Sequence, residues 1–111
     1  LESIGIQKNK VVIDPGVGFS FGGDAKEDLM RIKMVSQLSQ LKVPTMIAIS
    51  RKSFLGKLFE IEVSGRLLST ILLESLMIRN GGRVLRVHDI EETKQMIDIM
   101  TCYYETLVGE L

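Results

Sequence analysis

The chain has little of what staples or stiffens a small protein: one cysteine (Cys102), two prolines, no tryptophan and 5% aromatics. A lone cysteine closes no intrachain disulfide, which fits a reducing, cytoplasmic setting where such a thiol usually packs as a small hydrophobe. Neither sign of charge dominates, since 14 basic and 14 acidic residues leave a formal net charge of zero. No electrostatic footprint for nucleic acid or an anionic membrane surface is therefore present. Any anion must be held by a few placed cations. Long apolar runs are missing as well. The most apolar stretch, residues 67–78, is interrupted by Ser69, Thr70, Glu74 and Ser75, too short and too polar for a membrane span. Leu1-Glu2-Ser3 offers neither a basic start nor an apolar run, so no signal peptide is expected. Without an initial methionine, we expect residues upstream.

What remains is ordinary for a soluble α/β protein, 45% hydrophobic and 25% charged. A length of 111 residues allows one domain with a modest core, taken as residues 1–111. Three short apolar runs are each followed by a helical pattern, without repeats or low-complexity segments. Lys10-Val11-Val12-Ile13 reads as a buried strand meeting a turn at Asp14-Pro15-Gly16. After a glycine-rich loop, Asp24 and Glu27 form a capping-box-like start. Leu29, Ile32, Val35, Leu38 and Leu41 then mark an apolar helical face, with Lys26, Arg31 and Lys33 away from it and Pro44 as its stop.

Thr45-Met46-Ile47-Ala48-Ile49 is the second strand candidate. Ser64 caps the next predicted helix, which stops at Gly81-Gly82. Val84-Leu85-Arg86-Val87 is the third strand, and Asp89 with Glu92 repeats the capping signal for a final helix. Alternating strands and helices with short connections predict a parallel sheet covered by helices. A doubly wound sheet and a portion of a (β/α)₈ barrel both fit; a complete barrel typically takes ~250 residues.

The residues with chemistry stand just after the strands: Asp14, then Ser50-Arg51-Lys52-Ser53, then Arg86 and His88. Strand carboxyl ends line the active sites of parallel α/β folds in either architecture. Each residue also has a plainer use. Asp-Pro-Gly is a common turn tripeptide, Ser-Arg-Lys-Ser fits a solvated loop, and a histidine at a strand end is often structural. Arg86 and His88, two apart, share one face of a strand, and a buried arginine there demands a partner. Asp89 reads mainly as a helix cap. The spacing of Gly16, Gly18, Gly22 and Gly23 matches neither a Walker loop nor the dinucleotide fingerprint.

Taken together, Asp14-Pro15-Gly16-Val17-Gly18-Phe19, Ser50-Arg51-Lys52-Ser53 and Arg86-Val87-His88-Asp89, in this order and spacing, resemble the ends of the sixth, seventh and eighth strands of dihydropteroate synthases. Arg66-Leu67 matches a pair that opens the intervening helix in that family. The resemblance implies the C-terminal three β/α units of a TIM barrel. It also implies a transferase that joins a pterin diphosphate to p-aminobenzoate in folate biosynthesis, and it assigns roles residue by residue. Asp14 would bind the pterin ring N–H and 2-amino group. Lys52 would donate to the ring oxygen and nitrogen, and Arg86 would lie on the pterin face and reach the diphosphate with His88. Ser53 and Phe19 would contact p-aminobenzoate. Lys52, Arg86 and His88 would be the catalytic residues, and Mg²⁺ would be held from outside this chain.

Two departures stand out: Ser20-Phe21-Gly22-Gly23 replaces the family's glycine-lysine, and Ser64-Gly65 replaces serine-glutamate. The family's homodimer contact would use the C-terminal helices. That accounts for Leu67, Leu68, Ile71, Leu72, Leu73, Leu76, Met77 and Ile78 circling one helix. Taken alone, 111 residues would be an inactive fragment of such an enzyme, one prone to self-association through open strand edges. A corrinoid-type pterin-binding methyltransferase domain and a non-catalytic dimerisation module are the rival readings. The first needs no diphosphate site.

Overall fold

The structure is a computed structural model that describes residues 2–17, 25–50, 52 and 60–109. Three chain segments lie side by side and parallel. Ile13 bridges Thr45, and strand β1 (Met46–Ile47) pairs with β2 (Val84–Leu85) in the register Met46 to Val84 and Ile47 to Leu85. Backbone bonds extend this ladder: the Ile13 N–H donates to Pro44 O at 2.8 Å, and the Arg86 N–H donates to Ile47 O at 2.9 Å. Two of the three predicted strands form, both short, among the described residues. The first predicted strand shrinks to one bridge, because Lys8–Lys10 closes as a 3₁₀ turn instead of extending.

Helix α1 (Ala25–Lys33) and the one-turn α2 (Val35–Leu38) replace the single predicted helix, with a turn at Met34 between them. Both bury the predicted face, Ile32 and Val35 being in the core while Leu41 is exposed. The stop is Lys42, held in the left-handed conformation at φ 59° with its N–H on Ser39 O, two residues ahead of Pro44. A left-handed cap satisfies a terminal carbonyl.

Helix α3 (Leu67–Arg79) takes Arg66 at its N-cap, so Ser64 is not the cap; it lies in the 3₁₀ turn Val63–Gly65. At the other end Gly82 is indispensable. A Cβ there would meet Ile47 Cδ1 at 2.5 Å and Cγ1 at 2.7 Å, closer than side chains pack. Helix α4 (Ile90–Glu105) follows, with Asp89 at the N-cap position. The Asp89 side chain makes no capping bond; its carbonyl accepts the Thr93 Oγ1–H at 2.7 Å.

Helix α3 touches α1, α4 and β1. Three helices in a row beside sequentially ordered parallel strands describe a singly wound α/β arrangement, because reversing direction would send helices to opposite faces. The core between helices and strands holds Val17, Ile32, Val35, Ile47, Ile49 and Met77. Across α3 the polarity is inverted. Thr70 and Glu74 are buried with Met77, whereas Leu68, Leu72 and Leu76 form an exposed stripe, one turn apart. Cys102 is exposed rather than packed. Among the described residues no helix is long and apolar enough to cross a membrane.

Candidate functional site

The rim at the carboxyl ends of the parallel segments begins with Asp14. The Gly16 N–H donates to Asp14 Oδ1 at 2.8 Å, and the φ of +75° at Gly16 turns the chain that follows. Asx turns of this kind form wherever an aspartate side chain can reach the backbone two residues on. Two cations hold the same turn from other segments. Arg31 Nη1 donates to Gly16 O at 2.8 Å, and Lys52 Nζ donates to Val17 O at 2.6 Å. Val17 itself is buried in the core, so the turn is anchored at both levels.

Lys52 is half-buried, and burial lowers its proton affinity below the ordinary lysine range. The Asp14 carboxylate opposes that shift, the Arg86 guanidinium adds to it, and Asp28 opposes it again. The segments that carry these groups adjoin at one end: Ile13 bridges Thr45, Lys52 Nζ reaches the Val17 carbonyl, and the Arg86 N–H donates to Ile47 O. Asp14, Lys52 and Arg86 therefore stand at one rim, and Asp28 of α1 is buried.

Arg86 and His88 stand beyond the end of β2, and both side chains are exposed. Arg86 is thus not the buried strand arginine expected from the sequence, and no ladder fixes the two side chains to one face. The backbone here is tied to β1 instead. The His88 N–H donates at 3.2 Å to the hydroxyl of Ser50, which is buried. Phe19 and Ser53, with Arg51 and the loop 20–23, lie outside the described residues.

Two residues of this neighbourhood escape a sequence reading. Arg31 was expected on the solvent side of α1, yet its long side chain returns to Gly16. Asp28 is 4% exposed. The signal was there: positions 28, 32 and 35 share one helical face by the i, i+4, i+7 rule, so a charge at 28 sits on the buried side.

Comparison with known proteins agrees with this architecture. The family profile described as "Pterin binding enzyme" matches residues 1–88. The type-3 dihydropteroate synthase of Escherichia coli is 31% identical over 100 residues, which are 89% of this chain and 38% of that protein. Among solved structures, the dihydropteroate synthase of Clostridium difficile, determined in the presence of pteroic acid, is 35% identical with a TM-score of 0.81, covering 95% of this chain and 39% of that one. The Stenotrophomonas maltophilia enzyme is 26% identical with a TM-score of 0.86, covering 96% and 40%. The chain thus spans about two fifths of the length of these three proteins. With the profile covering most of its residues and the fold superposing on solved members, the chain belongs to the family of pterin binding enzymes.

Proposed function

We propose that this chain forms the last three β/α units of a dihydropteroate synthase barrel and supplies one wall of its pterin pocket. The observation that carries the reading is that the segments bearing Asp14, Lys52 and Arg86 adjoin at one end of the parallel strands. A carboxylate beside two cations suits a flat heterocycle bearing adjacent N–H donors at one edge and an anionic leaving group at the other. Asp14, with one oxygen already fixed by the Gly16 N–H, accepts from the pterin ring N–H and 2-amino group. Lys52 donates to the ring oxygen and nitrogen, aided by its partly desolvated position. Arg86 covers the pterin face and, with His88, binds the diphosphate. Phe19 and Ser53 take the role of binding p-aminobenzoate, as the family resemblance implies.

In the reaction the aromatic amine attacks the pterin methylene carbon, the carbon–oxygen bond to diphosphate breaks, and the amine proton is lost. Charge gathers on the departing diphosphate, where Arg86 and His88 stabilise it. Placement of the amine matters more than its activation. Magnesium finds no fit among the described residues, which hold no group of three or more His, Cys, Asp or Glu side chains. The compartment is cytoplasmic. The exposed stripe Leu68, Leu72 and Leu76 on α3 is the homodimer contact, and Leu72→Glu is expected to leave a monomer in sedimentation.

Calorimetry on the complete polypeptide tests the central reading. Pterin diphosphate is expected to bind more tightly than the plain pterin, and Asp14→Asn or Lys52→Ala to weaken it by about 1.5–3 kcal/mol. A methyltransferase domain would not favour the diphosphate, and a scaffold would bind neither. Unchanged affinity in both variants removes the site assignment.

A further inference from the structure

We propose that Arg31 is a positioning residue for Asp14, acting through the Gly16 peptide; the inference rests on the pterin-binding reading of Asp14 above. Glycine populates positive and negative φ about equally, so Gly16 does not select its φ of +75° by itself. Its N–H, in the peptide shared with Pro15, donates to Asp14 Oδ1 at 2.8 Å, and its φ sets where the following peptide, with the Gly16 carbonyl, lies relative to that bond. Arg31 makes the selection from outside. Its Nη1 donates to the Gly16 carbonyl at 2.8 Å across fifteen residues of sequence, and a Cβ at Gly16 would already lie 3.3 Å from that same nitrogen. The guanidinium thus closes over the bare side of the glycine and fixes its carbonyl, while the amide of the same residue fixes the carboxylate.

The neighbouring carbonyl, Val17 O, is held by Lys52. Lys52 carries a ligand in the proposed pocket, and Arg31 does not. Arg31 is therefore the clamp that stays engaged with the turn whether or not a pterin is bound. A guanidinium keeps its charge at any working pH, so the clamp does not titrate. Its base is firm as well, because Ile32 and Val35, beside it on the same helical run, are core residues.

The test uses the complete polypeptide with Arg31→Met, Arg31→Gln and Arg31→Lys. Arg31→Met is expected to raise the Kd for pterin diphosphate about tenfold, the loss of one charge-assisted hydrogen bond. The KM for p-aminobenzoate and kcat are expected to move less than about twofold. Arg31→Lys, which keeps a cation and a donor, recovers most of the affinity, and Arg31→Gln falls between. Amide exchange at Gly16 supplies a readout independent of ligand: protected in the parent and faster by about tenfold or more in Arg31→Met. Unchanged pterin affinity in folded Arg31→Met overturns the proposal, as does unchanged Gly16 exchange. If Arg31→Met and Arg31→Gln both fail to fold while Arg31→Lys folds, the residue is structural and the proposal also fails. A parent protein that binds no pterin sinks the pocket reading instead, and the exchange arm then decides the clamp on its own.

Discussion

The rim around Asp14 and the buried face of α3 treat charge in opposite ways. At the rim three charged groups have a fixed neighbour: Asp14 holds the Gly16 N–H, Arg31 holds the Gly16 carbonyl and Lys52 holds the Val17 carbonyl. On α3, Glu74 is fully buried, and neither of its carboxylate oxygens has a hydrogen-bond partner among the described residues. Its proton affinity rises accordingly, first from burial and then from the Asp89 carboxylate, so it titrates at about 7 rather than 4.5. Partnered rim charges are cheap to hold; a sealed carboxyl is kept at a cost and leans toward its neutral form.

Replacing a charge by an apolar side chain of similar volume is expected to have opposite signs in the two places. Glu74→Leu should stabilise the protein most. A carboxyl displaced from 4.5 to about 7 corresponds to roughly 3 kcal/mol, which solvent screening reduces to about 2 kcal/mol at pH 8. Urea unfolding measures it, and a loss of stability in the variant would break the comparison. The same group sets a pH dependence. Because its folded pKa lies above its unfolded one, the penalty is absent below about 4.5, grows through the interval and is full above about 7. Parent stability is therefore expected to fall between pH 5 and pH 8, and the slope to flatten in Glu74→Leu.

Lys52→Met removes the bond to Val17 O and is expected to cost about 1 kcal/mol in the same assay. A gain there would mean the rim charges are as poorly placed as Glu74. Smallest of all, Asp98→Ala cuts the solvent-exposed pair with Lys94 at 2.8 Å and should leave the thermal midpoint unchanged, since exposed pairs one helical turn apart contribute little.

Much of this was legible in the sequence. The order of strands and helices follows from apolar runs and turn residues, and the three charged clusters were placed after strands before any geometry was known. Strand lengths were not legible, because Val11 and Val12 extend the apolar run although only Ile13 is bridged. The interior of α3 was also hidden. With apolar residues around most of its circumference, periodicity gives no direction, so Leu68 and Leu72 appear as good a core as Thr70 and Glu74. Contacts with α1 and α4 decide the orientation, and these are tertiary. Asp28 and Arg31 were readable in principle by helical phase, but a charged residue is assigned to solvent unless its face is counted.

Gly82 shows how far a missing side chain can reach. Its α-carbon leaves room for Ile47, which sets how deeply the chain leaving α3 descends before β2 begins. Bulk added there would press on Ile47 and the strand it belongs to, and the guanidinium four positions later would shift away from the rim it shares with Asp14 and Lys52.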